Sequence, residues 1–303
     1  MTTSKIVLVT GATAGIGRKT ALYLAQLGHH VIATGRKAAE LAAVKLEAGS
    51  AKLDTLSLDV TSAESIAAAV AAVDQITKGH GIDALVNNAG FGVLGPTSEI
   101  SDADMRRQYD TNVFGLMNVT RAFLPQMIAR GAGRVINVSS VGGRIVLPYF
   151  GVYNSTKYAV EALSDAMRYE LRPLGVDVSL IEPGIIKTNF EAIAVSGLEQ
   201  FASTPFAVAV EKYEEMSKLG NRFASEPIVI AKAIAKAVNA RRPRARYVAP
   251  FSNHVIFAMS TFLPTRVWDW AMRKVGFLTP AALKAAADRR GVKAPSPTLR
   301  VAN

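Results

Sequence analysis

The chain has 303 residues, half of them hydrophobic, no cysteine and a formal charge of +11. That length holds one large α/β domain with an extension, and the missing cysteines exclude disulfides, thiolate nucleophiles and cysteine–zinc sites. The four histidines (His29, His30, His80 and His254) have no partners at metal-ligand spacing, so no metal is expected.

Along the chain, short apolar runs predict strands over Ile6–Thr10, Val31–Thr34, Leu53–Leu58, Ala84–Asn87, Arg134–Ser139, Val176–Ile181 and Arg246–Ala249. Between them, apolar residues at three-to-four spacing predict helices over Arg18–Leu27, Ala63–Thr77, Met105–Ile128 and Tyr153–Leu171, with stops at Gly28, Gly131 and Pro173–Gly175. Continuous apolar strands alternating with helices give an α/β, doubly wound parallel sheet of about seven strands, covered on both faces. This domain is expected over residues 1–250, followed by a helical extension over 251–303.

The charge is concentrated at the C-terminal end. Residues 241–303 hold twelve Lys/Arg against only Asp269 and Asp288, which leaves the first 240 residues near neutral. The basic residues follow no nucleic-acid motif, so no nucleic-acid partner is expected. The segment Val255–Leu278 is apolar but interrupted by Pro264, Arg266, Asp269 and Arg273. It reads as one or two amphipathic helices that either pack on the domain or lie on an anionic membrane surface. The apolar run Ile6–Val9 is too short for a signal-peptide core, and no run of about 18 apolar residues could span a bilayer. A soluble, cytoplasmic protein with at most peripheral membrane contact is expected.

The first strand runs into Thr10-Gly11-Ala12-Thr13-Ala14-Gly15-Ile16-Gly17 and then a helix. Glycines there let backbone approach a pyrophosphate, and the helix start offers unpaired N–H groups. The second strand ends in Thr34-Gly35-Arg36-Lys37. An acid in that place would bind a ribose hydroxyl and select NAD, whereas a guanidinium suits the 2′-phosphate of NADP. NADP(H) is therefore preferred, with NAD(H) as the alternative. Further on, Ser140 precedes Tyr153 by thirteen residues and Lys157 follows by four. On a helix that spacing sets an ammonium beside a phenol and would bring its pKa towards the range of an acid–base catalyst.

Thr10–Gly17, Asn87-Asn88-Ala89-Gly90, Asn112, Ser140, Tyr153-x-x-x-Lys157 and Pro183-Gly184-x-x-x-Thr188 occur together in one order and spacing. Over about residues 5–250 that set resembles the short-chain dehydrogenase/reductase family, in its single-domain oxidoreductase branch, near the hydroxysteroid and retinol dehydrogenases. The resemblance implies a Rossmann-type fold and hydride transfer between NADP(H) and an alcohol or carbonyl. It implies Tyr153 as general acid/base, Lys157 holding the nicotinamide ribose and lowering the tyrosine pKa, Ser140 positioning the reacting oxygen, and Asn112 ordering a relay water.

For the cofactor the resemblance implies Gly11, Thr13, Gly15, Ile16 and Gly17 at the pyrophosphate and Arg36 at the 2′-phosphate. It places Asp59 and Val60 at adenine and Asn88, Ala89 and Gly90 beside the adenine ribose. Pro183, Gly184, Ile186 and Thr188 fall at the carboxamide, and Tyr153 and Lys157 complete the set. Asp59 reads equally as the cap of the following helix. Some NADP-dependent relatives carry a basic or hydroxyl residue where Ala14 stands, so the NADP preference rests on Arg36.

The segment after the Pro-Gly motif, about residues 189–225, is expected as a substrate lid. Its Phe190, Ile193, Leu198, Phe201, Phe206 and Tyr213, with Tyr149 and Phe150, suit a bulky lipophilic small-molecule substrate such as a steroid, retinoid or long-chain ketone. Reduction of 3-oxoacyl thioesters and NADP sensing without turnover are the alternative functions. The family implies pairing through the helices bearing Asn112 and Tyr153, hence a homodimer or homotetramer.

Overall fold

The computed structural model describes residues 4–291. Seven strands, β1 (Ile6–Val9), β2 (His30–Gly35), β3 (Leu53–Ser57), β4 (Ala84–Asn87), β5 (Gly133–Val138), β6 (Val176–Pro183) and β7 (Arg246–Ala249), form one sheet in the order β3-β2-β1-β4-β5-β6-β7. Every neighbouring pair is parallel. The helices are α1 (Gly15–Gln26), α2 (Ala38–Ala48), α3 (Ala63–Thr77), α4 (Asp102–Tyr109), α5 (Leu116–Ala129), α6 (Gly151–Leu171), α7 (Phe190–Val195), α8 (Ala207–Glu211), α9 (Tyr213–Asn221), α10 (Pro227–Asn239), α11 (Asn253–Phe262), α12 (Thr265–Val275) and α13 (Pro280–Arg290).

The continuous apolar strands are buried on both sides because their side chains alternate between two cores. Val7, Val9, Val31, Ala33, Ala84 and Val86 face α1, α2 and α10, where Leu22, Val44, Ile230 and Ile234 meet them. Leu8, Ile32, Leu85, Val135 and Val178 face α3, α5 and α6 through Ile66, Val73, Phe123 and Met167. Strand order reverses between β1 and β4, so the crevice outside their carboxyl ends is the place such a sheet offers a ligand.

One helical expectation changes. The single helix expected over Met105–Ile128 is α4 and α5 joined by a π-helical turn, Asp110–Gly115. Gly115 sits at that join with no room for a side chain: a Cβ there would lie 2.8 Å from Val60 Cγ2 and 3.0 Å from the Asp110 carbonyl oxygen. The amphipathic segment beyond residue 250 is two helices, α11 and α12, separated at Leu263-Pro264, where proline sets the entry to the second.

The extension rests on the segment expected as the lid, about residues 189–225. Leu278 joins a small core with Tyr149, Val152, Leu198 and Phe201. On α13, Ala286 packs against Ala207 and Val208 of α8. Arg289 pairs with Glu211 at 2.5 Å and Arg290 with Glu199 at 3.2 Å, so two of the extension's cations are answered by lid carboxylates. No helix among the described residues is long and apolar enough to cross a membrane. The last twelve residues, with Lys293 and Arg300, lie outside the described part of the chain.

Candidate active site

Tyr153 and Lys157 project from the first turns of α6, and Ser140 ends the loop leaving β5. The Ser140 hydroxyl, which accepts from Gly142 N at 3.0 Å, favours the Tyr153 phenolate but does not overcome burial, so the phenol is pushed up to about 12. Burial brings the Lys157 ammonium down to about 8, opposed by the charge of Glu161 one turn further along α6. The ammonium does not reach for the phenol as the i, i+4 spacing suggests. It donates to the Val138 carbonyl oxygen at 2.9 Å and lies 5.8 Å from the tyrosine ring centre. The tyrosine shift is therefore upward, because desolvation outweighs the neighbouring hydroxyl.

Asn112 is buried in the π turn, a backbone irregularity often found at functional sites. Its Oδ1 accepts from Phe91 N at 3.1 Å, and its Nδ2 donates to Phe91 O at 2.8 Å and to Thr156 Oγ1 at 3.1 Å. The amide is thus a strut between the loop after β4 and α6. Gly90 completes the junction: a Cβ there would stand 3.0 Å from Asn112 Oδ1 and 3.8 Å from Lys157 Nζ.

At the nucleotide end, Gly11 takes φ +63°, and a Cβ on it would lie 2.9 Å from Ala89 Cα. A Cβ on Gly17 would meet the Gly11 carbonyl oxygen at 2.2 Å and Asn88 Nδ2 at 2.4 Å. Asn88 holds this loop by donating to Thr10 O and Gly11 O at 3.0 and 3.1 Å. Thr10 Oγ1 accepts from both Asn88 N and Ala89 N. Helix α1 begins without a side-chain cap and without an acidic residue in its first turn, whereas α3, α4 and α13 are capped by Ser62, Ser101 and Thr279. Its first N–H groups, from Gly15, Ile16 and Gly17, fit a pyrophosphate.

Thr13 packs under the end of β2, its Cγ2 2.4 Å from where a Gly35 Cβ would be. Arg36 follows, exposed, with Asp59 and Glu40 within reach of its charge. Asp59 is not the helix cap: Ser62 accepts from Ser65 N at 3.1 Å. Asp59 Oδ1 instead accepts from Thr61 N and Thr61 Oγ1, which hold its carboxyl below the usual range. Val60 is buried against the π turn.

The Pro183-Gly184 motif leaves the end of β6, and Ile186 bridges to Ser225 at the far end of the lid. Thr188 Oγ1 accepts from Phe190 N, and its methyl lies 3.2 Å from a Gly15 Cβ position, so the lid starts directly over the glycine loop.

Of the aromatic set expected to line a substrate pocket, two members face Tyr153. Phe190 and Phe150 make edge contacts with the Tyr153 ring at centroid distances of 5.3 and 6.4 Å. Tyr149, Leu198 and Phe201 are core instead, and Tyr213 donates to Glu191 at 2.6 Å. Phe206 is half-buried at the start of α8, and the Ile193 side chain lies outside what is described.

Several supporting residues carry no spacing signal. Asn154, adjacent to Tyr153, donates to Gly142 O at 2.8 Å and so fixes the loop after Ser140. Gln108 accepts from Val93 N at 3.0 Å. Glu161 accepts from Arg246 Nε at 3.1 Å, and Arg246 also pairs with Asp165 and the fully buried Glu182. Among the described residues no group of His, Asp and Glu could hold a metal ion.

Comparison with known proteins bears on the family and the fold. The chain is 36% identical over 265 residues to the uncharacterized oxidoreductase YbbO of Escherichia coli, covering 88% of this chain and 93% of that one. It is 33% identical to the 3-ketodihydrosphingosine reductase of Bacteroides thetaiotaomicron (89% and 97% covered) and 33% identical to human retinol dehydrogenase 16 (93% and 90%). The closed form of a serine dehydrogenase complexed with NADP+ superposes with a TM-score of 0.70 at 32% identity, covering 80% of this chain and 93% of that one. Residues 5–197 match the short chain dehydrogenase family model, and the protein belongs to the short-chain dehydrogenase/reductase family of NAD(P)-dependent oxidoreductases.

Proposed function

We propose that this oxidoreductase uses NADP(H) in preference to NAD(H) and exchanges a hydride with the ketone or aldehyde, or the corresponding alcohol, of a lipophilic molecule of the long-chain, retinoid or steroid type. The observation that carries the reading is the apolar surround of Tyr153, with Phe150 and Phe190 edge-on to its ring and the lid starting over the glycine loop. The reductase acting on 3-ketodihydrosphingosine and the retinol dehydrogenase among its relatives support a lipophilic substrate. Arg36, where an acid would bind a ribose hydroxyl, supports NADP(H).

A bound nicotinamide supplies the hydride. The chain's residues manage the oxygen and its proton. Ser140 hydrogen-bonds the carbonyl oxygen, and Tyr153 donates its phenolic proton as charge develops there. With the phenol pushed up to about 12, it is protonated at neutral pH, the form that reduction requires. Lys157, charged below about 8, lends positive potential to the same place and reaches the cofactor ribose. Asn112 and Gly90 keep the ammonium's surroundings in register.

Tyr153→Phe is expected to lower kcat by about 10²–10⁴ and leave NADPH affinity within twofold, read by stopped-flow turnover and NADPH fluorescence. Normal turnover by that variant would remove the acid/base role. NADPH should bind about tenfold or more tightly than NADH, and Arg36→Ala should erase the difference. A screen of long-chain ketones, retinoids, steroids and 3-oxoacyl thioesters then separates the lipophilic reading from thioester reduction. Pairing of two copies across α5 and α6 belongs to the same proposal. Phe114 in the π turn before α5 and Tyr158 and Tyr169 on α6 are exposed, and the solution mass should be two or four times 32.2 kDa.

A further inference from the structure

The extension has a second apolar face that its packing does not use. Along α11, Phe257 turns inward, 5% exposed, with the Arg144 guanidinium 4.0 Å from its ring centre. The opposite stripe, Val255, Met259 and Phe262 at i, i+4 and i+7, is exposed, Phe262 to 84%, and Phe251 just before the helix to 82%. Helix α12 has no buried residue at all. It exposes Val267 and Trp270 beside Arg266, Arg273 and Lys274, with Asp269 its one acid. An eleven-residue helix is marginal in water unless an apolar face is buried. These three cations have no ion-pair partner among the described residues, unlike Arg289 and Arg290 on α13, which meet lid carboxylates.

We propose that the exposed faces of α11 and α12 dock on an anionic phospholipid surface. Tryptophan and phenylalanine projecting outward beside arginine and lysine match a headgroup layer, in which rings sit at the acyl boundary while long basic side chains reach the phosphates. Aromatic side chains more than four-fifths exposed project from the surface, and a deformable lipid layer can receive them without a matching pocket. The cationic excess on α12 makes the chosen lipid anionic.

The face borders the substrate side of the catalytic domain. Asn253, the first residue of α11, packs on Gly184, whose Cβ position is 2.5 Å from Asn253 Nδ2. Tyr149 donates to the Gly276 carbonyl oxygen at 2.8 Å, just past α12. Docking would set the entrance of the site against the layer in which a lipophilic ketone dissolves. That last step rests on the proposed substrate class, whereas docking itself does not.

The test is sedimentation of the full chain with phosphatidylglycerol/phosphatidylcholine vesicles and with pure phosphatidylcholine vesicles, at about 0.02 M and about 0.5 M salt. Binding to the anionic vesicles at low salt, weakened by salt, is expected. It should fall at least about tenfold in Phe262→Ser/Trp270→Ser and in Arg266→Gln/Arg273→Gln/Lys274→Gln, with thermal unfolding unchanged. No binding at low salt, or equal binding by the Phe262/Trp270 variant, would overturn the proposal. So would a fall in solution mass caused by that variant, which would assign the face to a second copy of the chain. Because vesicle binding needs no substrate, failure of the lipophilic-substrate reading would show in the turnover screen and leave this result intact.

Discussion

The nucleotide end and the lid end of this enzyme are built by opposite means. Around Gly11 and Gly17 backbone meets backbone, and added atoms would fall 2.2–2.9 Å from the nearest backbone atom. Around the lid, side chain meets side chain: Phe201, Leu198, Tyr149 and Leu278 fill one small core, and arginines of α13 meet carboxylates of α8 and its approach. Backbone contacts leave one acceptable residue, glycine, at each close approach. Side-chain contacts can be refilled by other shapes of similar volume. The cofactor half is therefore fixed in kind, while the substrate half is free to differ among relatives that include a sphingoid-base reductase and a retinol dehydrogenase.

The sharpest way to break this contrast is Gly17→Ala. Its methyl would strike the Gly11 carbonyl oxygen, so the glycine loop has to move. NADPH affinity should fall by more than about 100-fold and stability by about 1–3 kcal/mol, read by fluorescence titration and thermal unfolding. Gly79→Ala is the control: with φ +82° and nothing within 4 Å, it should cost about 1 kcal/mol and leave NADPH binding unchanged. Equal effects of the two would mean that the loop yields and that the contrast is false. A second substitution tests the other end. Phe201→Ala removes a ring that is 2% exposed at the centre of the lid core. A loss of about 3–5 kcal/mol is expected if the lid unfolds with the domain, and a raised KM with intact NADPH affinity if it opens alone. Unchanged KM and unchanged stability would remove the lid core from the account.

The parts of the molecule legible in its sequence are those in which function follows local spacing. All seven expected strands are present, each end within two residues, because apolar runs between turn residues encode them locally. Tyr153 and Lys157 share a helix, and Ser140 follows the end of a strand by two residues, so their order along the chain already places them near one another. What spacing could not encode are contacts between distant segments. Lys157 chooses the Val138 carbonyl, nineteen residues away, over the phenol four residues away. Thr10 serves as acceptor for two amides nearly eighty residues on. Gly115 in the π turn packs closely against Val60, in the distant loop after β3. Asp59 and Ser62 are both good cap residues three apart, and only the bond from Ser65 N decides between them.

Lys157 supplies the smallest expected effect and links the two ends. Burial places its ammonium at about 8 against an ordinary 10.5, so the fold disfavours the charged form. The unfolded chain then holds more protons between about pH 8 and 10.5, and this group makes stability rise with pH across that window. Tyr153 acts in the reverse sense from its ordinary 10 upward, because the folded phenol keeps its proton to about 12 while the unfolded one loses it. A dinucleotide brings negative phosphates towards the ammonium and should raise its pKa again. Binding of NADPH at pH 8.5 is therefore expected to take up a fraction of one proton, and at pH 6 none from this group, since the ammonium is already charged. Calorimetry in two buffers of different ionisation enthalpy measures the difference, and Lys157→Met should abolish it. If uptake at pH 8.5 matched that at pH 6, the ammonium would not be titrating between them, and the lysine would belong to the rigid end of the molecule in charge as well as in position.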